Sequence, residues 1–197
     1  MAEMLRYNQG KLRLSLLPTS FVRVLSHNLG GALIEETTRV LEFGAEKYSP
    51  NNWRTSGSWI KVFDSALRHA FKFACGEEYD QESGLHHLGH LGCNLAFLLE
   101  FEEQRSGVDD RYKVQVNHNK IEDLQASAFT SSVLIALLGA LDGAPIKHTI
   151  LVLDTYMDGL TKKGARAKTE PGTPIPGAVD GFGFPKVFPD WGSMLVG

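Results

Sequence analysis

The sequence is poor in several things at once. Its 197 residues include 2 cysteines, no low-complexity tract and no surplus of positive charge. Cys75 and Cys93 fall inside hydrophobic helical patterns without metal-finger spacing, so both read as small buried thiols of a reducing compartment. The stretch MAEMLRYNQGKLRLSLLP has no uninterrupted apolar segment ending in a small-residue cleavage site. No later window approaches the roughly 18 apolar residues of a membrane span. The expectation is a soluble, cytoplasmic protein with no membrane partner. Its 20 Lys plus Arg against 23 Asp plus Glu leave a net charge of -3. With no global positive field to draw the chain onto phosphate backbones, nucleic acid is not an expected partner. A small anion held by a few local cations is compatible with that balance.

What the chain does contain is unevenly spread. Of the 8 prolines, five lie between Pro171 and Pro189, whereas four of the 7 histidines lie between His69 and His90. Closely spaced Pro and Gly exclude helix and central strand from the first region, and Phe182, Phe184, Val187, Phe188 and Trp191 give it apolar anchors. It reads as an extended arm lying across a surface. The second region is the candidate site.

Upstream of the arm the pattern is mostly helical. Between Gly30 and Tyr48, the residues Leu33, Ile34, Thr37, Val40, Leu41, Gly44 and Ala45 gather on one face at the helical period, with Glu35, Arg39, Glu42 and Glu46 opposite. After the loop SPNNWRTSGS, with Ser58 as N-cap, a second helix is expected from about Trp59 to Cys75, closed by Gly76. A third follows the acidic connection EEYDQES, from about Gly84 to Glu103, with Ser83 as its cap and Leu88, Leu95 and Leu99 facing inward. Tyr112 to Val116 alternates like a short strand, and Glu122 to Leu141 and Ile146 to Leu160 read as helices. The fold class is therefore mainly α: a helical bundle core over residues 1–104, a helical extension over 105–168, and the Pro/Gly-rich arm over 169–197.

Several polar residues sit where a purely structural helix would not need them. Glu36, Phe43 and Lys47 share a stripe at the edge of a buried face, and a carboxylate there must meet a cation or a metal. An ion pair at the rim of the core would also satisfy it. Glu35, Glu42 and Glu46 lie on the far, solvated face. His69 interrupts an apolar stripe of the second helix, where a single core hydrogen bond would satisfy it equally well. On the third helix, His87, His90 and Asn94 project from one side and can converge on one bound species, while His86 points elsewhere. Short connections would bring Glu36, His69, His87 and His90 to one interhelical cleft. Lys11, Arg13, Lys47 and Arg68 could supply charge for phosphates, and Trp53 and Trp59 flank a loop where a base could stack. For Arg68 the alternative is pairing with Asp64 one turn earlier.

The blocks GKLRLSLLP, ETTRVLEFGAEKY, NNW, LRHAF and GEEYDQESGLHHLGHLGCNLAFLLE, in this order over residues 8–103, resemble the N-terminal domain of phage dATP/dGTP diphosphohydrolases. The resemblance implies an all-α enzyme of nucleotide-pool metabolism, related in function to the MazG-like pyrophosphohydrolases. It would cleave a purine deoxynucleoside triphosphate to the monophosphate and pyrophosphate in the host cytoplasm. It further implies a divalent metal, Mg²⁺ by analogy, and a homo-oligomer. The MazG pattern carries EExxE on one helix and ExxD on a later one, all oxygen ligands suited to Mg²⁺. Here Glu35 and Glu36 match the first two acids, Arg39 stands at the third, and His87 and His90 form HxxH in place of ExxD. Imidazoles favour Mn²⁺, Co²⁺ or Zn²⁺. The expected metal set is Glu36, His69, His87, His90 and Asp80, with Glu36 and His90 as the catalytic pair. Asp80 and Glu82 could instead cap the third helix. Lys11, Arg13, Lys47, Trp53, Arg68 and Asn94 are the expected substrate contacts.

Two other readings fit the composition. One is an HD-type dNTP phosphohydrolase releasing triphosphate or phosphate, although the adjacent His-Asp pair that defines it occurs nowhere in the chain. The other is a non-enzymatic helical assembly module, with the arm embracing a partner and the histidines merely packed.

Overall fold

Pro18 is held in an extended conformation at φ -60° and ψ 137°, and the chain turns into its first helix immediately after it, α1 over Thr19–Leu25. In the computed structural model, which describes residues 7–26, 31–112 and 129–162, five further helices follow. These are α2 (Ala32–Tyr48), α3 (Trp59–Ala74), α4 (His87–Gln104), α5 (Ile135–Leu141) and α6 (Ile146–Lys162). A π-helical turn, Thr130–Leu134, leads into α5, and 3₁₀ turns occupy Leu14–Leu16 and Asn52–Thr55. The described residues contain only isolated bridges besides helix, one of them joining Ser58 to Val108. The fold is mainly α, as the periodicity requires.

α4 is the centre of the bundle. Leu88, Leu91, Leu95, Ala96, Leu98 and Leu99 are all buried on it, and a helix that is apolar nearly all round has to be enclosed by others. α2 and α3 make the most extensive contacts with α4, and α1 and α6 also pack on it. α2 comes unusually close because α4 offers Gly89 and Gly92 to it. A Cβ at Gly89 would stand 2.8 Å from the carbonyl oxygen of Glu36, and one at Gly92 would collide with the Thr37 hydroxyl and Leu33. No helix among the described residues is long and apolar enough to cross a membrane.

The helix starts show where local sequence was sufficient. Ser58 caps α3 as expected, its hydroxyl accepting from the Lys61 amide at 3.3 Å. Asp110 reinforces that cap from 50 residues away, accepting from the Ile60 amide at 2.9 Å and from the Ser58 hydroxyl at 2.7 Å. These two bonds hold the Asp110 carboxyl below its ordinary range. α4 starts later than the pattern suggested, at His87, and Ser83 is not its cap. The capping group is His86, whose Nδ1 accepts from the Leu88 amide at 3.0 Å. A buried helix end needs an acceptor directly before its first turn, and Ser83 lies too far upstream to provide one.

Cysteine burial divides the two thiols: Cys93 is buried on α4, whereas Cys75, at the end of α3, is exposed and not the core residue expected. Of the expected strand only Tyr112 is described, and residues 113–116, the first part of the expected 122–141 helix and the whole arm lie outside the described residues. Filling the α2–α4 contact should destabilise the bundle. Gly92→Ala is expected to lower unfolding free energy by about 1–3 kcal/mol, as overpacking does, read as a reduced urea midpoint at unchanged slope.

Candidate functional site

α2 and α3 both lie on α4 but hardly touch each other, so a groove opens between them. It forms a cavity of about 550 Å³, lined by Val40, Phe43, Lys47 and Tyr48 of α2, by Ser65, Arg68, His69 and Lys72 of α3, and by His90, Cys93, Asn94 and Phe97 of α4. Asn51, Asn52 and Trp53 close it from the α2–α3 loop, and Asp80 and Glu82 from the loop before α4. His90 and Phe97 are seven residues apart on one helix, which separates the imidazole end from the aromatic end by roughly 10 Å along its axis.

Three imidazoles meet at one end. Nδ1 of His69 stands 2.8 Å from Nδ1 of His87. The rings of His69 and His90 stack, with centroids 4.3 Å apart and 11° between planes. Burial, followed by the neighbouring His90 and His87 rings, pushes His69 down to about 3. Burial likewise pushes His90 down to about 4, against the pull of Asp80, and lowers His87 although Glu77 opposes it. All three are therefore neutral at pH 7, each keeping one unprotonated ring nitrogen. Asp80 is fixed from below by Ser83, whose amide and hydroxyl each donate to its Oδ2 at 3.0 Å. Burial alone would raise the Asp80 carboxyl, but those bonds and the nearby imidazoles bring it below its ordinary value. Ser83 Oγ is also 2.8 Å from Nε2 of His90, so one hydroxyl orients both an acid and an imidazole.

His69, Asp80 and His87 can each turn a ligand atom to a common point, since these atoms lie within 4.8 Å of one another. Two nitrogens on one metal at about 2.0–2.1 Å each sit a little farther apart than the His69–His87 pair. A cation would thus need only a small outward movement of the rings. Nε2 of His87 is buried and makes no hydrogen bond, with Oε1 of Glu77 3.4 Å away. That carboxylate stands where a second-shell partner orients a ligating histidine. Two nitrogens and one carboxylate suit Mn²⁺, Co²⁺ or Zn²⁺ better than Mg²⁺.

Residues 1–111 match the family model described as dATP/dGTP diphosphohydrolase, N-terminal. The chain belongs to this diphosphohydrolase family. It is 32% identical over 108 residues to a dATP/dGTP diphosphohydrolase of Salmonella phage PMBT28, a match covering 54% of this chain and 32% of that protein. The chain thus spans about a third of its relative's length. No solved structure matches it. Every cavity-lining residue falls inside the family segment, whereas α5 and α6 lie beyond it.

Within this family segment the structure sorts the residues expected from sequence. His69, Asp80, His90, Lys47, Trp53, Arg68 and Asn94 all line the cavity, and His87 meets them from the buried side. Glu36 does not join them. It is not a cavity-lining residue; its Oε1 is 3.7 Å from Nε of Arg39, its Oε2 is buried without a partner, and burial raises its carboxyl despite Arg39. Glu36 shares the stripe of Phe43 and Lys47 but stands about two to three turns nearer the start of α2, where it lies against Gly89 of α4. Lys11 and Arg13 also lie outside the cavity lining; Lys11 is exposed, and the Arg13 amide donates to Glu42 at 2.6 Å, leaving Glu42 half-buried instead of fully solvated. Asp80 and Glu82 do not cap α4: Asp80 takes Ser83, and Glu82 takes Lys47 at 2.5 Å. Trp59 is 5% exposed, donates to the Ser106 carbonyl at 3.0 Å and carries Arg111 over its ring, so it offers no face to a base. His86 does point elsewhere, but it is a structural cap and not incidental.

Sequence reasoning missed Lys72 and Glu77, and gave Ser83 only a capping role. Lys72 follows Arg68 by one helical turn on the same face of α3, a spacing that could have revealed it. Its Nζ is bonded to Glu77 at 3.1 Å.

Acid should unfold this site from within. His69 and His86 titrate near 3 and His90 near 4 in the fold, against an ordinary 6.5. Between those values the unfolded chain binds more protons than the folded one, so the stability tied to neutral rings is complete above pH 6.5 and drains as pH falls toward 4. The thermal midpoint, measured in EDTA, is expected to be flat above pH 7 and to fall below 6.5. His86→Asn, which keeps a capping acceptor, should fall less steeply; an unchanged slope would contradict the assignment of His86.

Proposed function

We propose that this chain hydrolyses dATP or dGTP to the monophosphate and pyrophosphate, using a divalent cation held by His69, Asp80 and His87. The observation that carries this reading is the cavity, where His69 and Asp80, backed by the buried His87, stand beside Lys47, Arg68 and Lys72 and face an aromatic end at Trp53 and Phe97. Family membership and the name of the phage relative support the substrate. The triphosphate lies toward His90 and Lys72, where the cations offset its charge, and the purine lies toward Phe97. The cation supplies charge neutralisation and Lewis acidity at phosphorus when bound.

The chain's own groups perform the remaining work. Lys47 and Lys72 exchange Glu82 and Glu77 for phosphate oxygens, and Arg68 offers a planar fork of donors to the same oxygens. Water attacks the α-phosphorus in line while the bond to the bridging oxygen of the β-phosphate breaks and pyrophosphate departs. His90, neutral and held by Ser83, is placed to accept the proton that the water gives up. Glu36 supports α2 from outside the cavity and has no place in this step.

A product-resolved screen of the four dNTPs with Mg²⁺, Mn²⁺ and Co²⁺ tests the reading. Pyrophosphate with dAMP or dGMP is expected, with Mn²⁺ or Co²⁺ the better cation. Tripolyphosphate or orthophosphate would instead establish chemistry of the HD type, and no turnover or thermal shift with any combination would establish a binding or assembly module. His90→Ala should lower kcat by about a hundredfold or more, as loss of a catalytic group does, with the fold intact by circular dichroism. Lys47→Ala should chiefly raise KM, and an unchanged KM and kcat would remove it from the site.

A further inference from the structure

The loop between α2 and α3 is held in a conformation it would not adopt alone. Ser49, Asn51 and Ser56 have φ of 101°, 61° and 59°, and among the described non-glycine residues only Arg105 shares this region. Asparagine tolerates left-handed backbone, but serine gains nothing there, so the surrounding structure has to impose it. The fastening comes from Glu100, a carboxylate 9% exposed on the central apolar helix. Oε2 of Glu100 accepts from the Ser20 hydroxyl of α1 at 2.6 Å, and Oε1 accepts from Nη1 of Arg54 at 3.0 Å. The Arg54 guanidinium then lies 4.5 Å from the centre of the Trp53 ring, and Trp53 stacks on Phe97 at 4.7 Å with 18° between planes. Phe97 and Glu100 are one turn apart on α4, so the same helix holds the loop once by stacking and once by charge. Trp53, Asn51, Asn52 and Phe97 line the cavity, whereas Glu100 and Arg54 do not.

We infer that Glu100 and Arg54 are positioning residues for base recognition, clamping the strained 49–56 loop so that Trp53, Asn51 and Asn52 form the purine-facing wall. An ion pair with one half-exposed partner is a poor source of net stability, which leaves the fixed placement of this wall as its contribution. The inference rests on the proposed nucleotide reading, and its effect is confined to the base end. The phosphate end is anchored independently, through Lys72, Ser83 and Asp80 on α3 and the loop before α4, and through the bond of Lys47 to Glu82 at the end of α2.

The test compares Arg54→Ala, Arg54→Lys and Glu100→Ala in the full chain, with dATP and dGTP as substrates and inorganic tripolyphosphate as an inhibitor carrying phosphates but no base. Arg54→Ala and Glu100→Ala are expected to raise nucleotide KM at least tenfold, leave kcat within threefold and leave the tripolyphosphate inhibition constant unchanged, with Arg54→Lys recovering part of the loss. Inhibition weakening in parallel with KM, or an unchanged KM, would overturn the assignment. If Glu100→Ala does not fold, Arg54→Ala decides the matter, since its side chain is 46% exposed and its loss leaves the core intact. Wild-type turnover with indifferent variants defeats the clamp alone; a wild-type chain that neither binds nor cleaves any deoxynucleotide defeats the proposed function and the clamp together.

Discussion

Gly89 and Gly92 allow the backbone of α2 to lie directly against α4, and the position of nearly every functional side chain depends on that approach. With α2 drawn in so tightly, Glu36 lies against Gly89, while Phe43 and Lys47, about two and three turns later on the same stripe, line the groove. α3 packs on α4 without filling the space beside α2, and the remaining gap becomes the cavity. Small residues here do not create flexibility. They set the distance between two helices, and through it the width of a pocket.

The site concentrates a physical conflict that the rest of the bundle avoids. Four histidines have been brought to or below the surface of an otherwise apolar helix pair, and burial holds His69, His86 and His90 far below the ordinary imidazole range. Each solves its own desolvation differently. His86 becomes a helix cap, His87 turns one nitrogen to His69, and His90 rests on Ser83. Neutral rings held this way are ready donors of lone pairs, which is why the cluster suits a cation without requiring any carboxylate beyond Asp80.

Around the cluster, both lysines are already engaged by acids of neighbouring segments. Lys47 is held by Glu82 and Lys72 by Glu77, so two cations that line the cavity are paired with acids. Under the proposed function an anionic ligand would replace these carboxylates, and the released acids would remain close by. The aromatic end has no such exchange; its geometry is imposed from behind by Glu100 and Arg54.

Much of this molecule was legible in the chain. Apolar spacing determined α2, α3 and α4 to within a few residues, Ser58 declared its cap, and the i, i+3, i+7 pattern of His87, His90 and Asn94 pointed to one side of α4, because these signals are local and repeat with the helix. Family blocks extended that reading to a family, which a match over residues 1–111 bears out. Tertiary structure decided the remainder. Whether Glu36 or Asp80 meets the histidines depends on which turn of α2 lies against two glycines of another helix and on where the loop before α4 returns, and no spacing within α2 records that. The cap supplied by His86 in place of Ser83, the exposure of Cys75, and the Ser20–Glu100–Arg54 chain all join groups distant in sequence or depend on burial by other elements. The sequence determined which side chains were available on each helix face; the close packing of α2 on α4 chose which of them share a site.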